Sequence, residues 1–192
     1  MTKNTIFIMT ILVLMSQTAS AATVQHFNNK DAWRAVVGEY DTIDFTGYPT
    51  GTQIVDQYSH QGVLFEGAPI VHSTGSYVND NWGVHALGGM WLHFDQPIQW
   101  FAAEHPGSIR YQFFRDGTLL ATSGNMGVGG SGNFSGVLLD EPFDTIYLFR
   151  SFPSENWVFV DDIHFGPPIP APGALGVFAL AAFSARSRRR RA

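Results

Sequence analysis

The sequence predicts an all-β protein, an antiparallel β-sandwich of jelly-roll type with one short N-terminal helix and a hydrophobic C-terminal helix. Three observations predict it. Short runs rich in β-branched and aromatic residues recur through residues 42–165, each closed by Gly, Asp, Asn or Pro. Asp116-Gly117 lies between two such runs and is a two-residue hairpin signal. Strands and helices do not alternate, which disfavours a parallel α/β sheet.

Residues 1–21 read as a secretory signal peptide. Lys3 supplies a weakly positive start, residues 6–15 are almost wholly apolar, and Ala19-Ser20-Ala21 gives the small-x-small cleavage pattern. The mature chain is then expected to begin at Ala22, and residues 22–166 to form one domain. The first element in it is a helix candidate, Lys30 to Val37, with Asn28 or Asn29 as its cap and Gly38 as its end. Trp33, Val36 and Val37 are its expected buried side.

Strands are expected near Thr42–Phe45, Gly62–Glu66, Ile70–Ser73, Met90–Phe94, Ile98–Ala103, Ile109–Arg115, Thr118–Ser123, Ser131–Leu138, Thr145–Arg150 and Trp157–Phe165. In the hairpin between Arg110 and Ala121, Asp116-Gly117 is a turn of the kind that tolerates positive φ at both positions, with Gly117 expected at positive φ.

The charge balance narrows the function. The whole chain carries 11 Lys+Arg and 16 Asp+Glu, a formal net charge of −5. Six of the basic residues are Lys3 and the five tail arginines, so residues 22–166 hold 5 bases against all 16 acids, a net −11. Such a body has no electrostatic case for binding nucleic acid or anionic lipid. It contains no cysteine, hence no disulfide and no thiolate metal site.

Few motifs point to catalysis. Gly127 to Gly132 matches G-x-G-x-x-G, but a strand-like run follows where a dinucleotide site needs a helix, so it reads as a loop. Neither G-x-S-x-G nor H-E-x-x-H occurs. The seven histidines are dispersed; His85 and His93 flank Trp91, and His105 adjoins Glu104. The adjacent pairs Asp140/Glu141 and Asp161/Asp162 point to opposite faces of a strand, so neither makes a glycosidase pair alone. Glu66 with Glu104 is a combination that nothing in the sequence selects.

The aromatics are more informative. Trp82, Trp91 and Trp100 are interleaved with Asn79, Asp80, Asn81 and His85. Rings beside amides and carboxylates suit a sugar, which has apolar faces and polar edges. Trp100 reads as core. Trp82, in a polar loop, is the leading ligand residue, with Asn79, Asp80 and His85 beside it.

A cation site is expected at the last strand. In Val160-Asp161-Asp162-Ile163-His164-Phe165, strict alternation puts Asp161 on one face with Ile163 and Phe165. A carboxylate among apolar side chains needs a partner. A structural Ca²⁺ held by Asp161 with Asp44 and Asp162 would supply one. The competing expectation is that Asp161 accepts backbone hydrogen bonds or pairs with Arg150.

The tail, residues 167–192, has three blocks: Pro167-Pro168-Ile169-Pro170-Ala171-Pro172, an uncharged apolar run over residues 173–185, and Arg186, Arg188, Arg189, Arg190 and Arg191. Prolines favour an extended spacer, the apolar run can form a helix that lipid accepts, and arginines stop transfer. Pro170-Ala171-Pro172, the apolar run and the arginines together resemble a PEP-CTERM sorting signal, with Ala171 where that motif has Glu. The resemblance implies a membrane-anchored stage and processing near Pro170–Pro172 by an exosortase-like enzyme, after passage through the export machinery. It also implies a final place at the cell surface or outside, and a role tied to exopolysaccharide or biofilm matrix. Phe27, Trp33, Ile43-Asp44-Phe45, Gly62-Val63-Leu64-Phe65, Phe134-Ser135-Gly136-Val137 and Val160 to Phe165 form a series that resembles the β-sandwich ectodomains carried by proteins with such tails. The expected function is a non-enzymatic matrix or envelope protein that binds glycan. A polysaccharide-active enzyme on the same fold is the alternative.

Overall fold

The computed structural model describes residues 21–73, 82–127, 132–150 and 157–167. The hydrophobic C-terminal helix, together with Ala19, Asn79, Asp80, Pro170, Ala171, Pro172 and the five tail arginines, lies outside them. Among the described residues no helix is long and apolar enough to cross a membrane.

The chain is all-β. Its strands are β1 (Val24–Phe27), β2 (Asp41–Ile43), β3 (Val63–Glu66), β4 (Ile70–Ser73), β5 (Trp82–Leu87), β6 (Met90–His105), β7 (Arg110–Arg115), β8 (Thr118–Thr122), β9 (Asn133–Phe149) and β10 (Trp157–Gly166). The one α-helix among the described residues is α1 (Lys30–Arg34). The hydrogen-bonded order is β4-β5-β10-β6-β9-β7-β8, with β1 on β9, β2 on β10 and β3 on β6. Every pairing between these strands is antiparallel.

The long strands share their edges among several short ones. β6 pairs with β9 along most of its length, with β3 at Trp91–Phe94 and with β10 near Trp100–Glu104. β10 pairs first with β5 and then with both β2 and β6. Sequence punctuation splits β6 into two strands at Asp95-Gln96-Pro97. In the fold the chain stays extended, and the interruption is a register shift between His93 and Ile98. β9 joins two expected strands in the same way. β1 and β5 were not expected. β1 (Val-Gln-His-Phe) is short and half polar, β5 (Trp82–Leu87) carries a glycine and a histidine, and each becomes a strand through its neighbours.

Alternation along β6 and β9 creates two apolar layers on opposite faces of the same strands. Phe101, Val137 and Leu139 join the main core with Leu92, Tyr111, Phe113, Ile146 and Ile163. Trp100 and Ala102 face the other way and meet Trp33 and Val37 in a second cluster. Trp100 is therefore core, as expected. Helix α1 covers that second face. Asn29 caps it, accepting Ala32 N–H at 2.8 Å. The helix ends at Arg34 with Ala35 as its C-cap, short of the expected Val37. Val36 is exposed rather than buried, because the chain beyond Ala35 no longer follows the helical face.

The β7–β8 hairpin closes at Asp116-Gly117, with φ of 49° and 74°. Both values are positive, as the dipeptide allows. Asp144 Oδ2 accepts Asp116 N–H at 2.8 Å and ties the turn to β9.

Candidate functional site

A cleft of about 730 Å³ opens where β1 turns into α1 and β9 begins. One wall is His26 to Lys30, where β1 ends and the Asn29 cap turns the chain into α1. The other is built by Gly124 to Gly127 and by Gly132 to Ser135. Phe27 and Phe134 give it apolar surface, and the side chains of Asn28, Asn29, Asn125 and Asn133 give it amides. Asn133 is fixed by Nδ2, which donates to Gly107 O at 3.3 Å. Gly127 has φ 80°, and a Cβ there would meet Gly107 O at 2.5 Å, so this wall requires glycine.

Ser135 lies at the cleft floor and is almost wholly buried. Its Oγ is 2.6 Å from His105 Nε2, while its carbonyl accepts the Tyr111 hydroxyl at 3.3 Å. Burial holds the His105 imidazole down at about 4, against weaker opposition from backbone hydrogen bonds at Pro106 and Gly107. His105 is thus neutral at pH 7. Burial likewise lowers His26, at the cleft wall.

Behind the Lys30 wall lies a polar nest on the helix-covered face. Lys30 Nζ is 2.8 Å from Glu104 Oε1 and 3.7 Å from Asp162 Oδ2. The Glu104 side chain is 4% exposed, and the Lys30 ammonium is its ion-pair partner. Glu104, Asp162 and His164 bring one donor atom each within 4.8 Å of the others. Thr42 Oγ1 meets His164 Nδ1 at 2.8 Å, and His164 Nε2 is buried with no hydrogen-bond partner among the described residues. Burial, then the charges of Lys30 and Arg34, push the His164 imidazole down to about 3.

This nest departs from strict alternation. The β10–β6 register shifts between Asp161 and His164, and Asp162 takes φ 40°. Asp161, wholly buried, accepts the Asp162 N–H at Oδ1 (2.8 Å), one of the backbone bonds expected for it. Strict alternation already sets Asp162 on the side of His164; the shift instead puts Val160 in the main core with Ile163 and Phe165. Asp44 lies one residue past the β2–β10 pairing, and its Oδ1 accepts Thr46 N–H at 3.2 Å. Sequence reasoning missed Glu104 and Lys30 as partners of this strand, because they come from β6 and α1.

The structure also moves the expected ligand residues. Trp82 is not in a loop: it is the first residue of β5, half-buried and packed against the main core, where pairing with Ser73 holds it. His85, on the same strand, sits 5.0 Å from the His72 ring and 4.8 Å from the Trp157 ring. It does not meet His93, which binds Glu66 at 3.0 Å and Thr145 at 3.3 Å, because β10 lies between β5 and β6. Glu66 stands opposite Trp91 at the far end of β6 from Glu104, so those two share no site.

Half-exposed rings line up on the sheet face bearing Trp91 instead. Trp91 stacks on Tyr147 at 4.4 Å and Tyr147 on Phe149 at 5.3 Å, while Phe114 meets Trp91 at 5.3 Å. The register explains it, since Trp91 and Tyr147 are cross-strand partners. The rings stack on one another, so much of their face area is already used.

Comparison with protein families, with curated proteins and with solved structures finds no match to this chain.

Proposed function

We propose that the chain is an exported envelope or matrix protein whose β-sandwich body binds a neutral glycan, without catalysis, in the cleft between β1–α1 and the start of β9. The cleft's composition carries this reading. Four asparagine amides surround two aromatic rings, which suits hydroxyl-rich ligands with apolar faces. None of the described lining residues is an Asp or Glu. The body's net −11 charge disfavours an anionic polymer, so a neutral one is the better partner. The sandwich architecture is supported by β6, β9 and β10 changing partners along their lengths, which lets one hydrogen-bonded network fold over the main core.

The polysaccharide-active enzyme is the second reading. The observation on its side is the approach of Glu104 and Asp162 beside the cleft. Against it, the Lys30 ammonium sits between the two carboxylates, whereas a glycosidase must protonate one and keep its partner free to attack or activate water. A structural Ca²⁺ remains part of the expectation for this region, and the donor set there is taken up below.

A glycan array probed with the body, residues 22–166, tests the function. Binding to neutral oligosaccharides is expected, lost in Phe134→Ala and weakened in Asn125→Ala. An array with no neutral binders, or hits unaffected by both changes, would refute the cleft as a glycan site.

The tail completes the proposal. The signal peptide, with Ala19 and Ala21 as its cleavage residues, exports the chain, and the tail resembling a PEP-CTERM signal delivers it to an exosortase-like enzyme. The arginines hold the tail at the membrane until then. Mass spectrometry of protein from its native cells should place the C-terminus near Pro172. Recovery of mature protein ending in Arg191-Ala192 would contradict the processing step.

A further inference from the structure

We propose that Glu104, Asp162 and His164 form a site for a divalent transition metal, of the Zn²⁺ class, which Lys30 occupies as an internal cation in the metal-free protein. The proposal stands apart from the glycan reading: neither requires the other.

The argument begins with what Lys30 leaves undone. Its ammonium approaches Glu104 at 2.8 Å and Asp162 at 3.7 Å, which neutralises the carboxylates. It makes no bond to the third member: His164 Nε2 has no hydrogen-bond partner among the described residues. His164 is 2% exposed, so bulk solvent does not reach it. A buried nitrogen left without a partner costs free energy that a ligand at that atom recovers. A metal ion would satisfy two carboxylates and an imidazole lone pair together.

The surroundings suit such an ion. Thr42 Oγ1 accepts from, or donates to, His164 Nδ1 at 2.8 Å. In the tautomer with the proton on Nδ1, the hydroxyl accepts and Nε2 presents its lone pair. This is the way a supporting group commonly orients a ligating histidine. The ring sits against Trp33 at 5.9 Å and Tyr40 at 5.3 Å, so it cannot swing away. The three donor atoms lie within 4.8 Å of one another. A shell of metal–ligand bonds near 2.0–2.2 Å requires donors roughly 3.3 Å apart, so the group must close by about 1.5 Å at most.

The donor set selects the metal class. Ca²⁺ takes six to eight oxygens, and an imidazole is a poor member of that set. One imidazole with two carboxylates suits Zn²⁺ and its neighbours, and three protein ligands leave a position open. Lys30 also lines the cleft. Its flexible stem can carry the ammonium outward, and the open metal position would then face the same space.

The test uses the full-length protein, with Zn²⁺ followed by thermal unfolding and Co²⁺ followed by visible absorption. Wild type is expected to show a midpoint that rises with Zn²⁺ and falls back with EDTA, and a Co²⁺ band of low-symmetry coordination. Lys30→Met is the discriminating variant. Removing the resident positive charge should tighten Zn²⁺ binding by about tenfold or more, since the ion no longer competes with an ammonium beside both carboxylates. A site in which Lys30 is only a structural partner would show no metal response in either protein. His164→Gln should abolish the Co²⁺ band while Thr42→Val weakens binding and leaves the band. If Lys30→Met binds Zn²⁺ no better than wild type, or if His164→Gln keeps the Co²⁺ spectrum, the proposal is wrong. Should His164→Gln fail to fold, Asp162→Asn, a half-exposed position, replaces it with the same expected loss.

Discussion

Trp33→Ala is expected to destabilise the protein by about 3–5 kcal/mol, the range for emptying a large aromatic site in a packed interior. Trp33 is wholly buried and lies 5.4 Å from both Tyr40 and Trp100 and 5.7 Å from Phe134 by ring centroid. Helix α1 has only five residues and no stability of its own, so this side chain, with the Lys30–Glu104 ion pair, holds it to the sheet. The sheet is shaped to receive it. A Cβ at Gly136 would stand 2.5 Å from Trp33 Cδ1, so Gly136→Ala should also destabilise, by overpacking. The double variant should cost less than the two single losses added together, because removing the ring removes the clash. Chemical denaturation of the four proteins measures this. A Trp33→Ala loss below about 1 kcal/mol would mean that α1 is held elsewhere, against the large-to-small range above.

The second large effect is a loss of stability in mild acid. His105 is held down at about 4 by burial, against an ordinary value near 6.5. Below 6.5 the unfolded chain takes up a proton that the folded chain refuses, so acid favours unfolding. Stability from this group is complete above pH 6.5, declines as pH falls toward 4, and levels off below it. The full difference is about 3 kcal/mol, at 1.36 kcal/mol for each pH unit of displacement. His105→Gln keeps a polar partner for the Ser135 hydroxyl and removes the titration. Its stability should fall less between pH 7 and pH 5 than that of wild type. Parallel curves for the two proteins would show that His105 does not drive the acid response.

The sequence makes the strand class legible wherever local chemistry decides it. Asp116-Gly117 needs only its own backbone to turn, and Asn29 only its own side chain to cap α1. Trp100 follows from alternation on β6. The readings that failed needed partners. Asp95-Gln96-Pro97 looks like a break, yet continuous pairing with β9 on either side carries β6 through it. Trp82 stands beside polar residues in sequence, yet β4 and β10 make its segment a strand. The candidate site was least legible. Alternation along β10 fails between Val160 and Ile163, which share the main core across a register shift against β6, and Glu104 and Lys30 arrive from elements far away in the chain. The cleft is likewise assembled from three separated stretches, and the G-x-G-x-x-G match from Gly127 to Gly132 does not point to it.

The central claim is that a neutral glycan binds in the cleft at the β1–α1 turn. The most direct measurement is chemical-shift mapping of the isotope-labelled body during titration with the best oligosaccharide from the array. The predicted result is a set of perturbed amides confined to residues 26–30, 124–127 and 132–135, with the sugar recovered intact. Perturbations centred on Trp91, Tyr147 and Phe149 would move the binding face to the stacked rings on β6 and β9. Cleavage of the sugar in the tube would contradict the non-enzymatic account outright.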